Sequence, residues 1–344
     1  MVPKYCLKPG VKAVDAQDEY VLFFSYGNRI IIKSAELAKF ILPVCSTLTQ
    51  PTTADAVLDQ IASTGANQQQ VTSVLKMLNA RKLIDIITGD EATHSELSEL
   101  GYFFSRFASS QQEAQRRADE TQSRKISIIC DPVAIQSFST AFENLGFKHV
   151  RQYHSVDPVL KPFTGFAAGG GSNLEPSIYD SKTVDDDLAV VVTTWGQQKD
   201  LLNINRLFFE SKKVWFAVFL DFFGGTISPL FGLDGELCFQ CFYDRKLSNL
   251  LHIDRYEFTI GWNADDIAAL KMPASYQHML ANVTAQESAK LLSGLIETKL
   301  ASGCLEMDFL NYRHDFHSVM PTPMCPICSG YDLRPGSNDQ ERAF

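Results

Sequence analysis

Several things are missing from this sequence, and each absence removes a class of protein. The opening MVPKYCLKPG has no apolar stretch behind its lysines, so it does not read as a secretory signal. No window reaches the run of about 18 apolar residues that a membrane-spanning helix needs. The densest apolar stretch, VWFAVFLDFFGG, is interrupted by Asp221 and suits a buried strand and a turn. Excess positive charge is also missing. The net charge of −9 argues against a general nucleic-acid binder, because phosphate recognition favours a basic surface. There is no GxSxG, HExxH or Walker loop. These absences leave a cytoplasmic, soluble protein with neither a membrane nor a nucleic acid as partner and no catalytic residues to name.

What is present suffices for more than one core. Of the 344 residues, 45% are hydrophobic and 21% charged, and a prior of about 150 residues per domain allows one to three domains. In a reducing compartment paired cysteines hold metal more readily than they form disulfides. Four of the eight cysteines fall in two CxxC knuckles, Cys238–Cys241 and Cys325–Cys328. Two residues between ligands let both sulfurs of a knuckle reach one ion, and four thiolates suit tetrahedral zinc in a closed, structural site. Such a site would pin the region of Cys325 to the loop after the Asp221 strand. Cys6, Cys45, Cys130 and Cys304 carry no partner pattern and read as buried or incidental.

Residues 1–88 read as a small separate domain. YVLFFSYGNRIIIK is two β-rich runs around Gly27-Asn28, a hairpin signal. Three helices follow: one from Ser34 as N-cap, one from Thr52 or Thr53, and one from Asn67. The third places Val71, Val74, Leu75 and Leu78 on one face. A hairpin beside three short helices is a winged-helix pattern. Its third helix offers only Lys76, Arg81 and Lys82, thin for phosphate binding. Peptide binding fits better, by adding a strand to the open sheet edge next to an apolar helix face. The open strand would be Arg29, Ile30, Ile31, Ile32 and Lys33. The facing side chains would be Val71, Val74, Leu75 and Leu78, which serve equally well as core.

Residues 89–124 form a helical linker, aromatic early and polar late. From Lys125 the chain alternates strands and helices, which implies a mainly parallel sheet with helices on both faces over 125–330. The tail 331–344 reads as mobile. The first strand-to-helix turn, CDPVAIQ, has no glycine, Pro132 removes a backbone donor, and Asp131 repels phosphate. The Gly169–Gly171 run is not placed between strand and helix and reads as a loop. Asn205 and Arg206 are either polar groups near a vestigial pocket or a solvated face. His314 and His317 are spaced to share a helical face and read as surface. Thr284 with Glu287 forms a capping-box pattern for a helix that would start there.

Together these features resemble the ThiF-like, or ubiquitin-activating-enzyme-like, group. ISPLFGLDGELCFQCFYDR followed by PTPMCPIC is similar to the paired knuckles of that group. The N-terminal winged helix resembles the RiPP recognition element fused to ThiF-like partner proteins of YcaO cyclodehydratases. The resemblance implies an α/β chain: a winged helix, then a degenerate Rossmann-like domain with a structural zinc site. It implies a subunit that grips the leader of a ribosomal precursor peptide and presents it to a YcaO enzyme. That enzyme binds ATP and cyclises Cys, Ser or Thr to azolines. It further implies a homodimer. The alternative reading is an ATP-dependent adenylyltransferase acting on a peptide or carrier-protein C-terminus.

Overall fold

The computed structural model describes residues 2–8, 11–15, 20–25, 28–33, 35–87, 97–130, 132–153, 155–156, 178–194, 198–232, 237–249 and 272–329. The chain divides into two compact units, residues 1–120 and 121–344. The division falls after the segment 97–120, which therefore belongs to the first unit.

Unit 1 contains β1 (Lys4–Leu7), β2 (Lys12–Asp15), β3 (Tyr20–Ser25), β4 (Asn28–Lys33), α1 (Ala35–Thr47), β5 (Thr52–Thr53), α2 (Ala54–Gln60), α3 (Gln68–Ala80), β6 (Ile84–Ile87) and α4 (Glu99–Phe104). Helix α5 (Gln111–Gln122) closes it, its last two residues passing the division. The expected hairpin is β3–β4, antiparallel and closed by the Ser25–Asn28 pair. Strand β2 completes that sheet on the other side of β3. Helix starts follow their caps. Thr53 Oγ1 accepts from the Ala56 N–H at 3.3 Å. Asn67 and Gln70 form a reciprocal capping box with both bonds at 2.9 Å. Strand alternation buries Val21, Phe23 and Ile32 with Ile41, Val44, Val57, Val71, Val74, Leu75 and Leu78 in one core. A second antiparallel sheet, ordered β5-β1-β6, is built from strands of two to four residues, too short to signal themselves in the sequence.

Unit 2 contains β7 (Lys125–Ile129), α6 (Pro132–Asn144), β8 (His149–Tyr153), β9 (Ser155–Val156), β10 (Ile178–Tyr179), β11 (Leu188–Thr194), α7 (Gln198–Glu210), β12 (Trp215–Leu220), β13 (Gly224–Ile227), α8 (Phe239–Ser248), α9 (Ala274–Ser293), β14 (Gly303–Asp308) and β15 (Arg313–Ser318). Seven strands form one sheet in the order β15-β14-β13-β12-β11-β7-β8, while β9 and β10 pair by themselves. Strands β8, β7, β11 and β12 are parallel. From β12 onward the sheet is antiparallel, so it is mixed rather than mainly parallel. The cause is local. After β12 the chain turns back within Asp221–Phe223 with no crossover helix, and such a turn can only make an antiparallel neighbour. Gly224 lets β14 approach β13, since a Cβ there would lie 1.8 Å from the Met307 carbonyl oxygen.

Every residue of β11 and β12 is buried, the mark of strands covered on both faces. On one face Ile204 and Phe208 of α7 and Phe239 and Phe242 of α8 pack with Trp215, Ala217 and Phe219. Elsewhere α6 packs on α9. Beyond the end of helix α6 the chain turns at Gly146, whose φ of +84° glycine adopts without strain. The acidic run 185–187 is consumed before β11. Asp185 pairs with Lys125, Asp186 binds Lys213 at 2.8 Å and the Tyr179 hydroxyl at 2.9 Å, and Asp187 binds Arg124 at 2.9 Å.

The capping pattern at Thr284 fails, while His314 and His317 are at the surface as expected but share no helical face. Helix α9 runs unbroken through residue 284, so Thr284 caps nothing. It is buried and bonds back to the Leu280 carbonyl, while Glu287 accepts from the Thr298 hydroxyl. The helix formers on both sides of Thr284 outweigh the local capping pattern. His314 and His317 lie on strand β15, where a spacing of three sends them to opposite faces. His317 pairs at the surface with Glu306 at 3.3 Å.

Candidate functional site

Cys238 is the N-cap of α8, and Cys241 sits in its first turn. Asn205 of α7 prepares this start. It is buried, and its Oδ1 accepts from the Phe239 N–H at 2.9 Å. It is therefore no part of a solvated face, whereas its neighbour Arg206 is exposed. The second knuckle arrives on a turn in which the Cys325 N–H bonds Thr322 O and the Ser329 N–H bonds Cys325 O. Arg245 holds the approach by donating to the Met320 and Pro321 carbonyls, each at 3.3 Å.

The four sulfurs converge. Cys238 Sγ lies 3.5 Å from Cys325 Sγ, although 87 residues separate them. Cys241 Sγ is 3.4 Å from Cys328 Sγ and 3.9 Å from Cys238 Sγ. All four lie within 4.8 Å of one another, so they can hold a metal ion. Tetrahedral zinc with bonds of about 2.3 Å separates its sulfurs by about 3.8 Å, which fits this spread. A disulfide, at about 2.05 Å, does not. The sulfurs already share protons. The Cys238 thiol donates to Cys241, which holds the Cys241 thiol down to about 4, helped by the Thr322 N–H at 3.3 Å. Cys238 is pushed up by making that bond, and burial pushes Cys328 up to about 12. A divalent cation held by the four sulfurs would displace their thiol protons. Cys6, Cys45, Cys130 and Cys304 are buried and are not members of this cluster. Burial raises Cys6 to about 11 and Cys45 to about 12, which keeps both thiols unreactive.

The residues named for peptide binding separate into two groups. Arg29–Lys33 all lie on β4, which pairs only with β3 among the described residues and so forms a sheet edge. Ile30 and Ile32 face the core, while Ile31 is 61% exposed and Lys33 is exposed. Val71, Val74, Leu75 and Leu78 are core residues, none more than 3% exposed, and offer no groove surface. The strand edge is available and the helix face is not.

At the first strand-to-helix connection of unit 2, β7 ends at Ile129 and α6 begins with Pro132. Asp131 and Gly169–Gly171 lie outside the described residues. Thr193 and Thr194 close β11, and both are buried. No helix of the described residues is long and apolar enough to cross a membrane.

No protein-family model matches the sequence, and no curated protein matches it. The fold does have solved counterparts. The heterocyclase TruD matches with a TM-score of 0.64 and 14% identity, over 95% of this chain and 43% of TruD. MccB of E. coli matches with a TM-score of 0.65 and 13% identity, over 96% of this chain and 98% of MccB. MccB with AMPCPP and MccA matches with a TM-score of 0.64 over 94% of this chain. The chain thus spans less than half of TruD and nearly all of MccB. At these identities the likeness establishes the fold: the mixed α/β architecture that TruD and MccB share.

Proposed function

We propose that this chain binds the leader of a ribosomal precursor peptide and presents it to a separate YcaO-type cyclodehydratase, which binds the ATP and forms azolines from Cys, Ser or Thr. The observation that carries this reading is the open β4 edge on a small helical unit, in a chain whose fold runs end to end alongside part of a heterocyclase. TruD continues well beyond the shared part, which supports a partner supplying the remainder. In this reading residues 1–88 are a winged-helix recognition element, residues 125–330 are a degenerate ThiF-like domain, and Cys238, Cys241, Cys325 and Cys328 hold a structural zinc ion. The protein works in the cytoplasm as a homodimer. The leader would add a strand to β4. In an antiparallel pair whose last partners are Ser25 and Asn28, bonding alternates from that pair onward. Arg29, Ile31 and Lys33 then turn their backbone N–H and C=O groups to the open edge. The exposed Ile31 side chain offers apolar contact, and Lys33 attracts acidic leader residues. Val71, Val74, Leu75 and Leu78 support the sheet from inside.

Binding of a labelled leader peptide, followed by fluorescence anisotropy, tests this. Ile31→Pro removes an edge donor without touching the inner ladder. Binding should fall at least tenfold, about 1.4 kcal/mol, with melting retained. Unchanged binding would remove β4 from the proposal.

A second reading is favoured by one observation: the match covers nearly all of MccB, a protein solved with ATP. In that reading the chain is itself an adenylyltransferase. The glycine-free connection into α6 opposes it, since phosphate there needs free backbone N–H groups and Pro132 has none. Sustained peptide-dependent ATP–pyrophosphate exchange by the isolated chain would replace the first reading with the second.

A further inference from the structure

Strand β15 ends the seven-stranded sheet and pairs with β14 alone among the described residues. Its open side has a definite parity. The Val319 N–H donates to the Ser302 carbonyl at 3.0 Å, one step beyond the Gly303–Ser318 pair. Bonded and non-bonded pairs alternate along an antiparallel ladder, so Arg313, Asp315 and His317 also turn their backbone groups towards β14. His314, Phe316 and Ser318 turn theirs outward. Every residue of the strand except Phe316 is exposed. Phe316 is half-buried, with Lys299 Nζ 5.4 Å above its ring.

Charge on an open edge usually keeps a second strand away. The charges of β15 do the opposite in one register. Two copies of the strand related by a two-fold axis run antiparallel. Their outward groups meet only if the axis passes through a residue, because an axis between residues would oppose an outward position to an inward one. With the axis on Phe316, the two Phe316 residues exchange both backbone bonds, and His314 exchanges its bonds with the partner's Ser318. Asp315 then lies opposite the partner's His317, on the face where His317 already meets Glu306 at 3.3 Å. The two-fold repeats this pair. An axis on Asp315 would set the two Asp315 carboxylates against each other, an axis on His317 would set the two imidazoles together, and an axis at either end of the strand shortens the ladder.

The same register gathers exposed apolar side chains. Tyr312, just before the strand, is 87% exposed, and Met320, just after it, is 71% exposed. They stand equally far from Phe316 along the chain, so an axis there brings Tyr312 alongside the partner's Met320 at both ends of the ladder. The two Phe316 rings become neighbours between them. A six-residue ladder alone is small for a stable interface, and these contacts lengthen it. We infer that β15 is the docking edge for a second copy of this chain, paired antiparallel with Phe316 on the two-fold axis, so that the two sheets join. This gives the homodimer of the proposed function its surface and rests on that part of the reading alone.

Sedimentation velocity on the full chain with zinc tests it. The chain should be a dimer at micromolar concentration. Phe316→Pro removes an outward donor and leaves the ladder to β14 intact, so it should weaken the dimer about tenfold or more with melting retained. A monomeric wild type would overturn the inference. A dimer unchanged in Phe316→Pro would also overturn it, and would leave the homodimer of the proposed function on another surface. If Phe316→Pro does not fold, the register decides. Residues on the axis are close enough for a disulfide, so Phe316→Cys should link two chains on mild oxidation, while Ser318→Cys, displaced from the axis, should not. No linked dimer in Phe316→Cys, or equal linking in Ser318→Cys, overturns the pairing. Leader binding at β4 is read separately by anisotropy, so a failure of the dimer edge and a failure of peptide binding are distinct results.

Discussion

Each unit keeps a polar centre away from water, and these two centres are built differently. In unit 1 the buried Lys8 ammonium, just after β1, faces the buried Asp85 carboxylate of β6 at 3.7 Å and also donates to the Ser105 and Ala108 carbonyls. In unit 2 four thiols of one kind crowd within 4.8 Å, and sharing protons is all they can do without a cation. Both centres join segments that are remote in the chain. The difference lies in what each tolerates. An ion pair is closed within the protein, so removing both members leaves an apolar patch that can pack. A tetrathiolate is closed only by an outside ion, and each missing ligand opens it. Unit 1 should therefore accept paired replacement, and unit 2 should accept none.

The sharpest way to break that contrast is Cys325→Ser. Cys325 is fully buried and 3.5 Å from Cys238, so its loss opens the ion's coordination from inside. Structural zinc contributes about 10–16 kcal/mol of apparent binding free energy, and folding is coupled to it. The variant should carry less than one zinc per chain and lose the melting transition of unit 2. Adding Cys238→Ser should restore nothing. Elemental analysis and calorimetry check both points. Full zinc occupancy with unchanged melting would refute the ligand assignment.

Lys8→Met comes next. It strands Asp85 in the interior, a defect worth about 3–5 kcal/mol for a broken buried pair. The pH dependence carries the distinctive sign. Burial raises the Asp85 carboxyl, and Lys8 is the largest influence holding it down. Without Lys8 the folded-state value climbs further above the unfolded value of about 3.9. The folded state then binds more protons than the unfolded one, so stability falls as pH rises through that window. The deficit against wild type should be largest near pH 7–8 and fade as pH falls below the unfolded value of about 3.9, where Asp85 becomes protonated in both states. Chemical denaturation across this range measures it. The double variant K8M/D85L should lie within about 1–2 kcal/mol of wild type and lack the pH-dependent deficit. A double variant as unstable as Lys8→Met would erase the contrast with the zinc centre.

The two centres also differ in how they show in a sequence. A CxxC knuckle is a local pattern, and its two-residue spacing already carries the geometry, so the thiol cluster was legible. So were β7, β11 and β12, whose continuous apolar runs leave no exposed face. Lys8 and Asp85 are single charges far apart in the chain. Each resembles an ordinary surface residue until β1 pairs with β6. Strand β15, RHDFHS, has no apolar alternation because it lies at an exposed sheet edge, and its histidines imitate a helical spacing. Val71, Val74, Leu75 and Leu78 show the same limit from the other side. Periodicity marks an apolar face, but only packing decides whether that face meets a core or a ligand. The antiparallel half of the sheet hung on the length of one turn, Asp221–Phe223, which composition does not reveal.

Asn205 tests the contrast most finely, because it belongs to the zinc centre without touching a sulfur. Its Oδ1 takes the first N–H of α8 and so fixes the helix start that places Cys238 and Cys241. Asn205→Ala leaves that buried donor unpaired, a cost of about 1–2 kcal/mol. If the ion closes the site, the four sulfurs should still gather around it: zinc content stays at one per chain, and the loss appears as a modest fall in melting temperature. Asn205→Asp keeps an acceptor at a helix N-terminus and should recover most of that loss. If Asn205→Ala instead released zinc, the geometry of the thiols would depend on a protein hydrogen bond as much as on the cation. The two centres would then be alike in being closed from within.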